Sequence, residues 1–138
     1  MLVALVAALA TGRPAVAAIF IRFTPTSVPR HGVLRVLGNG AHMPLYALPA
    51  ARMPCARFGT CSATPIHRDA PPRRKPFVFL GYTPGATRGF MPVRRFPIRL
   101  PRALRPGRYK VFVWCKMCGG SLIVAGDNQS GQTLRVAR

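Results

Sequence analysis

The sequence predicts an all-β chain, an antiparallel sandwich or barrel. Three observations carry this. No apolar period of 3.6 persists over a dozen residues, as an amphipathic helix would require. Short runs of β-forming residues recur instead, each closed by a turn signal. Fifteen prolines and thirteen glycines are spread over the 138 residues, which leaves little room for long helices. With 49% hydrophobic residues the chain can fill one core, and its length suits one domain rather than two.

The first element is a leader. Met1 to Ala10 read MLVALVAALA, Thr11, Gly12 and Pro14 break the run, and Ala15-Val16-Ala17 supplies a small-x-small cleavage pattern. The run is shorter than the roughly 20 apolar residues that cross a bilayer. Met1 leads into it with no basic segment. The expectation is a signal peptide over residues 1–17, removed after Ala17 or Ala18, and one β-sandwich domain over 18–138. The alternative is a buried N-terminal strand or helix. Export would place the mature domain in the cell envelope or outside the cell.

The strands follow in order. Ala18–Phe23 (AIFIRF) stops at Thr24-Pro25, and Val33–Leu37 (VLRVL) ends in Gly38-Asn39-Gly40, residue types that tolerate positive φ. Pro44–Leu48 is the weakest candidate. A long irregular stretch then runs from about residue 49 to 76, rich in Pro, Arg and Ala. Phe77–Tyr82 (FVFLGY) follows it. In Arg95–Leu100, Phe96, Ile98 and Leu100 alternate with Arg95, Pro97 and Arg99, and Pro97 favours an edge strand. Arg108–Cys115 (RYKVFVWC) is bulky on both faces and reads as a central strand. Ser121–Ala125 and Thr133–Val136 complete about seven or eight strands, a number that suits a sandwich or barrel.

Leu104-Arg105-Pro106-Gly107-Arg108-Tyr109 forms an L-x-P-G-x-Y pattern. It resembles the corner that leads into a late strand of immunoglobulin-like sandwiches, where a tyrosine hydroxyl bonds back to the backbone. The pieces R-x-P-x-x-L-P-x-x-L-R-P-G-R-Y and C-x-x-C-G-G-S-L-I lie between Arg95 and Ile123. They are similar to those of small, uncharacterised secreted proteins of GC-rich bacteria that carry an immunoglobulin-like domain. The resemblance covers the C-terminal half of the chain. It implies an immunoglobulin-like β-sandwich with Leu104, Pro106, Gly107 and Tyr109 as its structural corner, and implies no activity. No cysteine–tryptophan–cysteine core spacing accompanies it.

The four cysteines fall into two close pairs, Cys55 with Cys61 and Cys115 with Cys118. An even number in a short exported chain argues for disulfides. Local pairing is expected, and cross-pairing of the long loop to the central strand is the rival. A soft-metal site for zinc or copper is the alternative use of Cys55, Cys61, Cys115 and Cys118, with His42, Met43, Met53, His67 and Met117 as further soft donors. Core filling is the plainer reading of the methionines. Trp114-Cys115-Lys116-Met117-Cys118 is similar to the W-C-x-x-C of thioredoxin-like proteins, but Gly119-Gly120 and a further strand follow where a helix is needed.

Twenty-one Lys and Arg stand against two acids, Asp69 and Asp127, for a net charge of +19. Two acids so far apart do not make a glycosidase pair or a hard-cation site. His31, His42 and His67 lack a G-x-S-x-G elbow. The expected protein is therefore non-enzymatic, without a cofactor. Part of the arginine excess reflects GC-rich coding. Its physical consequence is attraction to polyanions, with Arg73, Arg74, Lys75, Arg94 and Arg95 as contact candidates. An anionic envelope polymer or another envelope protein is the expected partner. A basic cytoplasmic nucleic-acid-binding or ribosome-associated protein is the rival. It would need stacking aromatics or a recognised motif, and the aromatics here lie in strands at core-like spacing.

Intact mass of the secreted protein tests the leader and the disulfides together. The expected mass begins at Ala18 or Ile19, and reductant is expected to add one hydrogen for each of the four cysteines. Four thiols free before reduction would overturn the disulfide expectation.

Overall fold

The structure is a computed structural model and describes residues 19–40, 42–52, 64–65, 73, 75–85, 93–116, 120–126 and 131–138. The leader lies outside the described residues, as do Cys55, Cys61, Cys118 and Arg74.

The described chain is nearly all β. Ten strands run in the order β1 Ile21–Thr24, β2 Ser27–Pro29, β3 Val33–Gly38, β4 Pro44–Pro49, β5 Thr64–Pro65, β6 Val78–Tyr82, β7 Arg94–Arg99, β8 Gly107–Cys115, β9 Ser121–Val124 and β10 Thr133–Ala137. One short 3-10 turn, Ala50–Arg52, follows β4. Two sheets form. The smaller has the order β1-β3-β7, and the larger has the order β2-β10-β8-β4-β6 with β9 on β8 and β5 on β9. All pairings are antiparallel except β2 with β10.

Alternation decides which side chains go inward. Ile21 and Phe23 of β1, Leu34 and Val36 of β3 and Ile98 of β7 meet Leu45, Ala47, Val111, Val113, Leu134 and Val136 of the larger sheet in one core. The larger sheet is also buried on its other face, where Tyr46, Leu48, Phe112, Trp114, Leu122 and Val124 form a second cluster. This explains why Pro44–Leu48 reads weakly as a strand. Every residue from Pro44 to Leu48 is buried, so β4 shows no polar alternation although it lies inside the sheet.

Strand β8 occupies the centre as its sequence predicts. One edge pairs with β4. The other edge is shared end to end: β10 takes Gly107 to Lys110 and β9 takes Phe112 to Cys115. Between them the chain leaves the ladder after Ala125, whose N–H still donates to Val111 O at 2.8 Å. The detour ties the two sheets together. Gly126 N donates to Ile21 O at 2.7 Å. The Gln132 side chain accepts from Phe23 N and donates to Phe23 O, both at 2.9 Å, taking the place of a neighbouring strand. Gly131 makes the return possible, with φ +70° and no room for a Cβ beside the Val124 side chain and Ala125 O.

Pro97 sits in an edge strand, as expected, because β7 ends the smaller sheet. One expectation needs correction. The chain after β3 does not turn through positive φ at Gly38-Asn39-Gly40; among the described residues the positive-φ residues that are not glycine are His31 and His42. Asn39 is instead buried, and its Oδ1 accepts from Phe20 N at 2.9 Å. Of the stretch from 49 to 76, the 3-10 turn and β5 are described, and most of the rest lies outside the described residues. β2 and β5 were too short to leave a periodic signal.

The corner forms as its motif predicts. Leu104 is buried, and the Tyr109 hydroxyl donates to Arg105 O at 2.7 Å just before β8 begins. Replacing Tyr109 by Phe removes one intramolecular hydrogen bond and is expected to cost about 1 kcal/mol in urea unfolding. Arg105→Ala keeps the accepting carbonyl and is expected to change stability far less. Equal losses in the two variants would show that the hydroxyl is not what holds the corner.

Candidate anion-binding face

The outward positions of the smaller sheet are rich in arginine. On β1 they are Arg22 and Thr24, on β3 Val33, Arg35 and Leu37, and on β7 Arg95, Pro97 and Arg99. Strand register turns these residues into a lattice. Leu37 lies opposite both Arg22 and Arg95, Arg35 opposite Thr24 and Pro97, and Val33 opposite Arg99. Each arginine thus has an uncharged residue directly across from it, and the next arginine on the diagonal. Diagonal neighbours are about 7–8 Å apart, where like charges repel less than in a direct pair at about 5 Å. Arg35 stands at the centre, with Arg22, Arg95 and Arg99 diagonal to it.

The lattice encloses a shallow depression of about 640 Å³, lined by Arg22, Thr24, Arg35, Leu37, Arg95 and Pro97. Its floor is apolar and its walls are cationic. Among the described residues no acidic side chain occurs at all, since Asp69 and Asp127 both lie outside them. A guanidinium keeps its charge at any physiological pH and offers paired N–H donors to a phosphate, sulfate or carboxylate. Chemically this face can hold anions through charge and hydrogen bonding. It presents no nucleophile or general base.

Of the sequence-predicted contact residues, Arg95 joins this lattice. Arg94 is exposed at the start of β7, opposite Gly38. Arg73 and Lys75 are exposed ahead of β6, at the end of that strand which pairs with Ala47, while its far end pairs with Pro44. The described candidates thus stand at two places, ahead of β6 and at the start of β7. Arg22, Arg35 and Arg99 were missed as contacts. Their signal was present in the alternation of IRFT, VLRVL and RFPIRL, and needed the strand order to become one face.

The other candidates fall elsewhere. Cys115 is fully buried at the end of β8 and is disulfide-bonded, to a partner outside the described residues. A sulfur so engaged is not a thiolate ligand, which removes Cys115 from the metal alternative. No cluster of three potential ligands occurs among the described residues. Met43 is buried in the core, as a gap-filling methionine is expected to be. His31 is exposed, and His42 stacks on Tyr82 at 4.5 Å between ring centroids.

The aromatics depart from the core-like reading at one edge. Phe79 and Tyr82 of β6 are 44% and 52% exposed. They belong to a run in which His42 meets Tyr82, Tyr82 meets Phe79 at 5.1 Å, Phe79 meets Tyr46 at 5.8 Å, and Tyr46 meets Phe77 at 6.3 Å. Burial, then the neighbouring Tyr82, raises the Tyr46 pKa above its ordinary value, against a smaller lowering by Arg73.

Lys110 is the buried cation among the described residues, at 8% exposure. Its Nζ donates to Gly131 O at 3.0 Å and to Thr133 Oγ1 at 2.8 Å, both neutral acceptors. Burial, and secondarily Arg108, lowers its pKa from the ordinary lysine range.

A scan against protein-family models, a search of curated proteins and a search of solved structures each found no match to this chain.

The Lys110 environment sets a pH dependence. A lowered folded pKa means that the unfolded chain binds more protons, so stability rises with pH as it climbs through the folded pKa toward the ordinary lysine value. The urea midpoint of the protein is expected to rise as pH approaches the ordinary lysine range. Lys110→Met is expected to remove that rise. A parallel pH profile in the variant would assign the effect to other groups.

Proposed function

We propose that the chain is an exported, non-enzymatic immunoglobulin-like sandwich that binds an anionic polymer of the cell envelope. The observation that carries this reading is the arginine lattice on the smaller sheet, with Arg35 and Arg95 lining an open depression, Arg99 diagonal to Arg35, and no described acid to neutralise them. An extended polymer suits this arrangement better than a compact ion. The lattice spans three strands, about 10 Å across from β1 to β7, so successive anionic groups can each meet a guanidinium.

Several features support the immunoglobulin-like part. The strand order β1-β3-β7 against β2-β10-β8-β4-β6, the parallel β2–β10 pair and the tyrosine corner ahead of β8 all fit it. The leader pattern and the buried, disulfide-bonded Cys115 favour an oxidising compartment. Cys115 with Cys118, and Cys55 with Cys61, remain the pairings that the short sequence separations favour.

A second reading rests on one observation, the exposed aromatic run on β6. Stacking rings beside cations suit single-stranded nucleic acid. It would make the chain a basic nucleic-acid-binding protein.

Salt-dependent binding tests both readings. Long-chain polyphosphate and a single-stranded RNA are titrated against the protein at several salt concentrations. The envelope reading expects Arg35→Gln/Arg99→Gln to weaken polyphosphate binding at least tenfold and to flatten the salt slope by about two, one per lost cation. The nucleic-acid reading expects Tyr82→Ala to weaken RNA binding and spare polyphosphate. Polyphosphate binding with an unchanged affinity and slope in the double arginine variant would remove the lattice as the site.

A further inference from the structure

The opposite side of the sandwich holds a second cationic feature of different design. At the outer end of the larger sheet, Arg135 of β10 lies directly opposite Arg108 of β8, and on its other side beside Ser27 of β2. Tyr109 and Leu134 point into the core, so Arg108 and Arg135 both point outward, and both are exposed. In a directly opposed antiparallel pair the two Cβ atoms are about 5 Å apart, and like charges at that position destabilise the sheet. The smaller sheet avoids this arrangement by staggering its arginines. Here it is adopted, and neither residue has an ion-pair partner among the described residues.

The surroundings add donors. A groove of about 1050 Å³ runs past the pair, lined by Thr26, Ser27, Arg108, Thr133, Arg135 and Arg138. Thr133 Oγ1 already accepts from Lys110 Nζ at 2.8 Å, which leaves its own hydroxyl proton to be donated elsewhere. Lys110 lies opposite Thr133, one outward position along β8 from Arg108, and adds a positive charge that is 8% exposed.

We infer that the Arg108–Arg135 pair, with Thr133 and Ser27, is a compact oxyanion site that holds a single phosphate or sulfate group. Two guanidiniums supply paired N–H donors to adjacent oxygens of a tetrahedral anion, and the hydroxyls complete its shell. An anion between the arginines converts their repulsion into two attractions. The site differs from the arginine lattice in place and in ligand: the lattice is spread over three strands and suits an extended chain, whereas this pair suits one group. Such a group can be a free ion or the phosphorylated end of a larger molecule, the chemistry being the same.

The test uses the full mature chain and calorimetric titration with inorganic phosphate, sulfate and glycerol 1-phosphate. Sodium chloride at matched ionic strength serves as the control. Saturable binding of phosphate and sulfate is expected, with affinity lowered at least tenfold in Arg135→Gln and in Arg108→Gln, and unchanged in Arg102→Gln, an exposed arginine outside both sites. Glycerol 1-phosphate is expected to bind as phosphate does if an end group is accepted. Weaker binding of the ester would restrict the ligand to the free ion. Thermal unfolding without added anion gives a second reading. Removing one arginine relieves the repulsion, so both single variants are expected to melt at or above the parent temperature. An anion effect no larger than that of chloride, or an unchanged phosphate affinity in both single variants, would overturn the site. A melting temperature lowered in both would show that the pair is structural. Because the lattice is probed by polyphosphate and by different arginines, either site can fail without the other.

Discussion

Strand β8 is the constraint on which the described structure rests. It is paired along both edges and, from Tyr109 to Cys115, buried on both faces, so its register fixes the position of β4, β9 and β10 together. Its inward residues, Tyr109, Val111, Val113 and Cys115, lie in the core shared with the smaller sheet, and its outward residues Phe112 and Trp114 anchor the second cluster. A one-residue slip would exchange these two sets and carry Lys110 into the core between the sheets. The corner at Tyr109 holds the beginning of the strand, and the disulfide at Cys115 holds its end. The strand is thus restrained at both ends by different chemistry.

Charge imposes the second constraint. With almost no acids in the chain, ion pairing cannot neutralise the cations, and spacing must do so instead. The smaller sheet shows this most clearly, since uncharged Thr24, Val33, Leu37 and Pro97 occupy every position directly across from an outward arginine. Lys110 is satisfied by a carbonyl and a hydroxyl in place of a carboxylate. Against this background the Arg108–Arg135 pairing stands out, because there the rule of separation is broken.

Much of the fold was legible in the residues. The arginine–apolar alternation of Arg95–Leu100, the bulk on both faces of Arg108–Cys115 and the L-x-P-G-x-Y corner each express a local rule, and each reappears in the structure. The central role of Pro44–Pro49 was not legible, because burial on both faces erases the period that marks a strand. The three residues of β2 are too few to carry a period. The candidate site was half legible. Which arginines point outward follows from alternation, but which of them become neighbours depends on strand order, and clustering along the chain pointed to Arg73–Lys75 and Arg94-Arg95, of which, among the described residues, only Arg95 joins the lattice. The detour between β9 and β10 was not legible, since nothing local announces that Gln132 bonds to Phe23.

That last contact bears on how the molecule meets other copies of itself. An open sheet edge invites another chain to continue the ladder. On β1 the N–H and C=O of Phe23 are already taken by the carboxamide of Gln132, and Ile21 O is taken by Gly126 N. On the opposite edge, β7 carries Pro97 at mid-strand, which has no N–H to offer, flanked by outward Arg95 and Arg99. The three-stranded sheet is therefore finished on both sides, by a borrowed amide on one and an imino acid on the other. A molecule built this way can present its arginine face in a crowded, polyanion-rich setting without that sheet becoming a seed for edge-to-edge polymerisation.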